Sequence, residues 1–388
     1  MSKKLKIAVV GGAGHIGLPF SCFISSKNHE VVIVDNNKST LDKINNDILP
    51  FFEEGLDYYL KVAKKNNLQL SDNLDSIQGC NLIIVTLGTS SVEKEIEKFN
   101  SLVESLIKSA DRGSMLMLRS TVAINEINNI YSKTLLNEKD IKLAYCPERI
   151  AEGKGLVEIE KIPQIIGLDD KDNSGPFVSF FSSLGIKSHV TSFENAAFLK
   201  LFSNAYRYSE FTLVNEFSNI ANKNNIDFSE IINLASLDYP RLSHIPSTGF
   251  VGGPCLIKDT KTFKNEYSNE SKVITALQNT NSEFMDLILN YCTKNFEDKK
   301  IIQLGLSFKP NSDDIRSSLS LELYKKLNKN GFKVFPVDPN LNDETLEFEL
   351  YNYEEIQDIT NNVLISTFHD EFKKFDLSNK KVFTVGNK

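Results

Sequence analysis

LKIAVVGGAGHIGLPFSCFISSKNHEVVIVDNN, residues 5–37, decides the fold of this chain. Two apolar, β-branched runs flank a glycine-rich turn and a segment with helical spacing. This order is typical of a strand–helix–strand unit whose two strands lie parallel in a buried sheet. The stretch therefore predicts that the chain begins with a doubly wound α/β domain.

The rest of the 388-residue chain repeats this alternation, except in its middle. A long helical section without strand-like runs begins near residue 193, and strand–helix alternation resumes near residue 298. We therefore expect an α/β fold in which two Rossmann-like doubly wound domains flank a central helical domain. The predicted domains are 1–192 for a dinucleotide, 193–297 for the helical section and 298–388 for a second ligand.

The turn after the first strand contains Gly12, Gly14 and Gly17 in G-x-G-x-x-G spacing, and Asp35 ends the second strand. The glycines permit a tight turn, a close approach of the backbone to a pyrophosphate, and close packing of helix on strand. An acid at this position binds both ribose hydroxyls and repels a 2′-phosphate, which favours NAD over NADP. The alternative is an ordinary turn followed by a surface aspartate.

Composition excludes several other classes of protein. Hydrophobic residues make up 41% of the chain and the net charge is −7, so we expect no nucleic-acid partner. We also expect no membrane span, no signal peptide and a cytoplasmic location. The five cysteines include no C-x-x-C pair and the five histidines are scattered, which predicts neither a disulfide framework nor a metal site.

The stretch GFVGGPCLIKDT, residues 249–260, contains the thiol of greatest interest. A lone cysteine is usually a small buried hydrophobe. Cys255, however, follows Gly252, Gly253 and Pro254, where a helix start is expected, and a helix N-terminus stabilises a thiolate. Asp259 lies four residues further on the same helix face. We expect the other four cysteines to be structural.

A thiol beside NAD indicates a two-stage oxidation of an alcohol. The alcohol becomes an aldehyde, the thiol traps it as a thiohemiacetal, a second oxidation gives a thioester, and water releases an acid. Lys200 and Asn204 lie four apart on one helix face, where a cation and an amide can stabilise an alkoxide. Taken alone, this pair is more typical of a solvated helix face, since exposed lysine is the rule.

The sequence resembles the UDP-sugar 6-dehydrogenase family over essentially its whole length. The motifs that support the resemblance occur in the family's order: GGAGHIG, RSTV, YCPERIAEG, FLKLFSNAYR, YPR, GFVGGPCLIKD and GLSFKPNSDDIRSS.

The resemblance implies a role for each matching residue. Cys255 is the nucleophile, Lys200 and Asn204 stabilise the oxyanion and alkoxide, and Asp259 works with the lysine and a water. The matching residues of the first domain are Thr121 and Glu148, which hold the catalytic water near the cofactor, and Arg149, which with Glu148 contacts substrate.

The later motifs imply substrate and partner contacts. Lys309 anchors the UDP-sugar, together with Gly252 and Lys200, and Arg316 lies near NAD. Arg241 matches an arginine that family members extend into a neighbouring subunit's substrate site. This last match implies a homodimer formed through the long middle helices.

Two departures from the family pattern fall outside the proposed chemistry. Ile257 replaces a proline that many members have, and LGTSS, residues 87–91, replaces a common GTP sequence.

The motifs PERI, residues 147–150, and YPR, residues 239–241, favour the 2-acetamido-sugar branch of the family, with UDP-N-acetylmannosamine or UDP-N-acetylglucosamine as substrate. The product would then be a UDP-uronic acid used in surface polysaccharide synthesis. UDP-glucose is the alternative. Two other hypotheses remain: a two-electron dehydrogenase without a covalent step, and a non-enzymatic NAD-binding protein.

Overall fold

A computed structural model of the chain describes residues 4–386, except 67, 90–91, 126–133 and 342–345. The chain divides into two compact units, Met1–Phe202 and Ser203–Lys388. Among the described helices, none is both long enough and apolar enough to cross a membrane.

The first unit is built on an eight-stranded sheet. Its strands are β1 (Lys6–Val10), β2 (Glu30–Val34), β3 (Gln69–Ser71), β4 (Leu82–Val85), β5 (Met115–Leu118), β6 (Lys142–Tyr145), β7 (Gln164–Leu168) and β8 (Ser188–Ser192). They lie in the order β3-β2-β1-β4-β5-β6-β7-β8. Neighbouring strands are parallel except β6 and β7, which pair antiparallel at Tyr145 and Gly167. The first six strands therefore have the predicted doubly wound order, and the sequence patterns did not indicate the reversal at β7.

Helices cover both faces of this sheet. They are α1 (Gly17–Ser26), α2 (Lys38–Asn45), α3 (Leu56–Lys65), α4 (Glu93–Ser109), α5 (Thr134–Glu138), α6 (Gly155–Glu158) and α7 (Gly175–Ser183). Ile7 and Val9 of β1 pack with α1 in one apolar core, whereas Ala8 and Val10 pack with α4 in another. Because both faces of β1 are buried, its sequence is a continuous apolar run rather than an alternating one.

The second unit joins long helices to a smaller parallel sheet. Its helices are α8 (Phe193–Lys223), α9 (Phe228–Ser236), α10 (Leu256–Glu266), α11 (Lys272–Asn295), α12 (Leu319–Lys329) and α13 (Tyr353–Ile356). Helix α8 begins in the first unit, at the residue where the sequence predicts the change to helix. The strands are β9 (Lys300–Leu304), β10 (Lys333–Val337), β11 (Asn362–Ile365) and β12 (Lys381–Thr384), all parallel in the order β10-β9-β11-β12. The α/β class and the helical section between two sheets are confirmed.

Candidate functional site

The glycine-rich turn connects β1 to α1 with the geometry expected of a phosphate-binding loop. A Cβ atom on Gly17 would lie 2.4 Å from the Gly11 carbonyl oxygen and 2.5 Å from the Gly12 Cα, so only glycine fits there. A Cβ atom on Gly14 would approach a protein atom no closer than 3.5 Å. The third glycine of the motif is thus required by packing, and the second leaves the surface of the turn open to a ligand.

Asp35 follows β2 and lies beside this turn. Its Oδ2 accepts a hydrogen bond from the Ala13 backbone N–H at 3.1 Å, and its Oδ1 accepts one from the Asn37 N–H at 3.0 Å. These bonds hold the carboxylate at the end of the strand, and each oxygen retains a lone pair for a further donor. The residues present therefore fit the adenosine ribose of NAD.

We expect Asp35→Ala to raise the KM for NAD about tenfold or more, because two hydrogen bonds to a charged acceptor are lost. The same change should weaken the rejection of NADP, since the negative charge that repels a 2′-phosphate is gone. Initial rates with each cofactor measure both effects. Asp42→Ala, which removes an exposed acid from the following helix, is the matched control. Unchanged discrimination between the cofactors in Asp35→Ala would contradict the ribose role.

Glu148 is buried and tightly held. Arg119 Nη2 donates a hydrogen bond to its Oε2, while Oε1 accepts hydrogen bonds from the backbone N–H groups of Arg149 and Ile150 at 2.7 and 2.9 Å. Arg119 Nη1 also donates to Gln164 Oε1 at 2.8 Å. Burial lowers the pKa of Arg119 to about 10, which leaves the guanidinium charged at neutral pH. The arginine and the two N–H groups stabilise Glu148 as a carboxylate of fixed orientation.

The other two predicted residues of the first unit lie on loops that follow β5 and β6. Thr121 is half-buried, and its carbonyl accepts a hydrogen bond from Thr89 Oγ1 at 2.6 Å. The Arg149 guanidinium donates to the Pro163 carbonyl at 2.5 Å, and burial lowers its pKa. Their contacts with cofactor and substrate stay predictions. Residues 90 and 91 of the LGTSS loop lie outside the described residues.

Lys200 and Asn204 lie four apart on α8 and are each only 8% exposed. The alternative interpretation, a solvated helix face, is therefore wrong for this pair. Lys200 falls in the first unit and Asn204 in the second.

Cys255 is the N-cap residue of α10 and is exposed. The helix starts at Leu256, so Pro254 precedes the N-cap instead of occupying the first turn. Gly253 has φ +89°, and a Cβ atom there would lie 2.5 Å from the Phe308 ring. Glycine is thus required for the turn that brings the chain into α10. The thiol lies where the helix dipole favours the thiolate.

All five cysteines lie in the described part of the chain, and none forms a disulfide. The four other than Cys255 are buried. Burial raises the pKa of Cys22, Cys146 and Cys292 to about 12, and it also raises that of Cys80. These four thiols stay protonated at neutral pH, as expected of structural cysteines.

Asp259, in the first turn of α10, is 1% exposed. Its Oδ2 accepts a hydrogen bond of 2.6 Å from Asn204 Nδ2, and the Lys258 ammonium lies 3.6 Å from its Oδ1. Asn204, which we predict stabilises the alkoxide, therefore contacts Asp259, which the resemblance implies works with Lys200 and a water. Lys258 is a neighbouring cation that the sequence patterns did not single out.

A cavity of about 400 Å³ opens at the carboxyl ends of β11 and β12 in the second unit. Gly252 and Lys309, both predicted to bind substrate, line it, together with a second cation, Arg207. Its other walls include aromatic and hydroxyl side chains: Phe211, Ser247, Thr248, Phe250, Phe308, Ser366, Thr367, Phe368 and Thr384. Two cations and several aromatic rings suit a nucleoside diphosphate.

The loop that carries Lys309 is fixed from beneath by a buried pair, Asp338 and His369. Asp338 Oδ2 accepts hydrogen bonds from the N–H groups of Leu306 and Ser307 at 2.7 and 3.1 Å. His369 Nδ1 accepts the Asn311 N–H at 2.9 Å, so the ring proton is on Nε2, 3.1 Å from Asp338 Oδ2. His369 thus joins the end of β10 to the cavity loop.

The remaining two predicted residues are near the surface. Arg316 donates hydrogen bonds to the nearly buried Asp314 carboxylate, at 2.6 Å from Nη2 and 3.0 Å from Nε, and half of its side chain is exposed. Arg241 is exposed, in a short 3₁₀ helix at Pro240–Leu242, with its guanidinium 5.6 Å from the centre of the Tyr239 ring. The proximity of Arg316 to cofactor and the crossing of Arg241 to a second subunit stay predictions.

Sequence reasoning missed Arg119, Lys258 and Arg207. Arg119 had a signal, because an arginine directly after the apolar strand MLML is either buried and paired or exposed at a sheet edge. Arg207 had a weaker one, since it lies three residues after Asn204 on the same helix. Most of the cavity walls had none, because they come from five separate segments spread over residues 207–386.

Comparisons with known proteins agree with this arrangement. Three profiles of the UDP-glucose/GDP-mannose dehydrogenase family match in order: its NAD binding domain at residues 5–184, its central domain at 194–283 and its UDP binding domain at 302–386. A UDP-N-acetyl-D-mannosamine dehydrogenase of Methanococcus vannielii is 27% identical over 96% of this chain and 88% of its own length. A UDP-glucose 6-dehydrogenase of Rickettsia bellii is 26% identical over 94% and 90%.

Among solved structures, the UDP-N-acetyl-mannosamine dehydrogenase of Staphylococcus aureus superposes with a TM-score of 0.83 at 26% identity, covering 98% of this chain and 94% of that one. The three family profiles together span nearly all of both units, including the glycine-rich turn, Cys255 and the residues that line the cavity. The chain therefore belongs to the UDP-glucose/GDP-mannose dehydrogenase family, as an NAD-dependent UDP-sugar dehydrogenase.

Proposed function

We propose that this enzyme oxidises the C6 hydroxyl of a UDP-2-acetamido sugar to the carboxylate, in two steps, through a covalent bond to Cys255. The observation that supports this most is the position of Cys255. It lies between Gly252 and Leu256, which both line the cavity that contains Lys309 and Arg207. A nucleophile at a helix N-terminus beside a cation-lined cavity suits attack on a carbon of a bound nucleotide sugar.

In the proposed reaction, the C6 alcohol loses a proton and its carbon-bound hydride to give the aldehyde. The Cys255 thiolate adds to this carbon, and the oxygen becomes an alkoxide next to Lys200 and Asn204. Loss of a second hydride gives the thioester. Water, held by Thr121 and Glu148 and assisted by Asp259, then cleaves the carbon–sulfur bond, which releases the acid and restores the thiol. NAD⁺ held at the Gly12–Gly17 turn would supply the hydride acceptor, one molecule for each oxidation, so two NADH would form per sugar.

Placement of the groups follows the predicted division into domains 1–192, 193–297 and 298–388. We assign the NAD pyrophosphate to the Gly12–Gly17 turn and the ribose to Asp35, with Thr121 and Arg316 near the cofactor. We assign the UDP-sugar to Gly252 and Lys309, with Glu148, Arg149 and Lys200 contributing from other segments. The fixed carboxylate of Glu148 suits the task of orienting a water.

The choice of an acetamido sugar rests on the motifs PERI and YPR, supported by relatives named for UDP-N-acetyl-D-mannosamine. UDP-N-acetylmannosamine and UDP-N-acetylglucosamine are the proposed substrates, with the UDP-uronic acid serving surface polysaccharide synthesis. The alternative is UDP-glucose oxidised to UDP-glucuronate, and a relative of similar identity has that name. A few contacts around C2 decide between them.

A panel of three substrates tests this proposal. The enzyme is incubated with NAD and UDP-glucose, UDP-N-acetylglucosamine or UDP-N-acetylmannosamine, and NADH absorbance is followed to completion with limiting sugar. We expect two NADH per sugar, with the highest kcat/KM on an acetamido substrate. A preference for UDP-glucose would establish the alternative. One NADH per sugar would indicate a two-electron dehydrogenase, and no absorbance change would favour a binding protein.

We further propose that the protein is a homodimer. Large apolar side chains are exposed along α8 and just beyond it, namely Tyr206, Leu213, Phe217, Ile220, Ile226, Ile231, Leu234 and Leu237. An exposed apolar surface of this extent is typical of a protein interface. Arg241 follows this surface directly, which suits its proposed reach into the site of a second subunit.

Subunit mixing tests the crossing of Arg241. Arg241→Ala and Cys255→Ser are each expected to be nearly inactive alone. Mixed in equal amounts and allowed to exchange subunits, they should regain about a quarter of the wild-type rate, because half of the dimers contain one intact site of two. The control is a mixture of the two variants in which each was cross-linked separately before mixing, so that no subunits can exchange. If the mixture gains no activity after proven exchange, Arg241 serves its own subunit.

A further inference from the structure

Two buried asparagines hold the segment that leads from the cavity wall to Cys255. Asn215, on α8, is 1% exposed, and Asn281, on α11, is 7% exposed. Both side chains bond to the backbone of residues 249–251. Neither asparagine belongs to the motifs from which the site was predicted.

Asn215 uses both ends of its amide on a single residue. Its Nδ2 donates a hydrogen bond of 2.7 Å to the Gly249 carbonyl, and the Gly249 N–H donates one of 2.9 Å to its Oδ1. Gly249 has φ +146°, a backbone conformation that residues with a side chain rarely adopt. The paired amide therefore fixes this unusual conformation from one side.

Asn281 holds the same segment at a second point by one hydrogen bond, which its Nδ2 donates to the Val251 carbonyl at 3.1 Å. The segment between the two attachments lines the cavity, as do Gly252 and Leu256 on either side of Cys255. Since α8 and α11 are long helices, they provide rigid supports for it. The backbone that precedes the thiol is thus fixed at two points within seven residues of it.

We infer that Asn215 is a positioning residue of the reaction: its amide clamps Gly249 and so sets the path of the chain from the substrate cavity to the nucleophile. This inference rests on the proposed role of the cavity as the UDP-sugar site. Loss of the clamp should weaken both UDP-sugar binding and the attack by Cys255, because both depend on the same segment. NAD binding in the first unit should be unaffected.

Asn215→Asp tests the donor directly, because it replaces only the Nδ2 amino group, which donates to the Gly249 carbonyl, by an oxygen. The carboxylate can still accept the Gly249 N–H, but its other oxygen now faces the Gly249 carbonyl and donates only when protonated. At pH 8.5 we expect kcat/KM for the UDP-sugar to fall about tenfold or more, with KM for NAD unchanged. As the pH is lowered to 6, the ratio of variant to wild-type kcat/KM should rise, because protonation restores the donor.

Asn328→Asp is the matched control. Asn328 is an exposed asparagine whose Nδ2 donates to the Tyr324 carbonyl at 3.0 Å, so the same chemical change is made away from the cavity. Wild-type kinetics at every pH are expected for it. Asn281→Asp should give a smaller loss than Asn215→Asp, because the bond that it removes is longer, 3.1 Å against 2.7 Å, and does not hold Gly249.

Alkylation of Cys255 provides a measurement that does not require turnover. Iodoacetamide labelling of Cys255 is followed by peptide mass in increasing UDP, and half-protection should need at least about tenfold more UDP in Asn215→Asp than in the wild type. This readout survives even if the substrate panel shows no NADH formation, so failure of the clamp and failure of the proposed function are distinguishable.

The inference is overturned if Asn215→Asp has wild-type kcat/KM and UDP protection. It is also overturned if the loss is equal at all pH values and matched by weaker NAD binding or a lower unfolding temperature, since a general loss of structure would then explain it.

Discussion

The Cys255→Ser enzyme is expected to form acid at least about 10³-fold more slowly than the wild type, with unchanged affinity for NAD. A serine hydroxyl at the start of α10 is not ionised at neutral pH and is a much weaker nucleophile than a thiol at a helix N-terminus. The aldehyde therefore finds no nucleophile, and the thioester does not form. We expect no change in NAD affinity because the glycine turn and Asp35, which we propose bind NAD, belong to the other unit.

Product analysis under limiting UDP-sugar measures this effect, with NAD affinity followed by fluorescence titration. Cys80→Ser is the matched control. Cys80 is buried, and its Sγ donates to the Ser76 carbonyl at 3.7 Å, a bond that a hydroxyl can replace. Acid formation at the wild-type rate by Cys255→Ser would contradict the covalent scheme. One iodoacetamide adduct per native chain, on Cys255, is the companion expectation.

The second large effect is expected at Asp259. Asp259→Asn keeps the size of the side chain but removes its charge, and we expect kcat to fall about 10²-fold to 10³-fold because the group that assists the water is neutralised. The KM for NAD should not change. Single-turnover experiments should show accumulation of the sugar attached to Cys255, since attack by water is the step affected. Wild-type turnover by Asp259→Asn would exclude this role.

Its partner Asn204 gives the decisive comparison. Asn204→Asp places a second carboxylate 2.6 Å from Asp259 in a buried site, and we expect it to lower the free energy of unfolding by about 3 kcal/mol. The double variant Asn204→Asp/Asp259→Asn restores an amide–carboxylate bond with donor and acceptor exchanged. Its stability should recover towards that of the wild type, while its activity should not, because the charge has moved to the other helix. Recovery of activity would mean that the hydrogen bond alone matters.

Much of the fold could be predicted from the sequence because local patterns determine it. The buried strands of the first sheet are continuous apolar runs, and the Gly17 position tolerates no side chain, so the strand–turn–helix unit is evident from residues 5–37. The helical middle was equally predictable, since α8 begins at the residue where strand-like runs stop. The reversed strand β7 was not, because strand direction depends on chain packing beyond the local pattern.

The candidate site was predictable only where its residues lie close together in the sequence. Cys255 and Asp259 share one helical turn, and Lys200 and Asn204 another, so spacing alone brought each pair together. The partners of these groups come from distant segments. Arg119 reaches Glu148 across 29 positions and Asn215 reaches Gly249 across 34, and no periodicity connects residues at such separations.

The buried pair Asp338–His369 distinguishes the second sheet from the first in its ability to bind a ribose. Each sheet places an acid at the end of its second strand in sequence, Asp35 in one and Asp338 in the other. Asp338, however, is 4% exposed, and its oxygens already accept hydrogen bonds from three backbone N–H groups and contact His369, so the carboxylate is not open to a sugar ring. We therefore expect the acid after the second strand to recognise a ribose in the first sheet and not in the second.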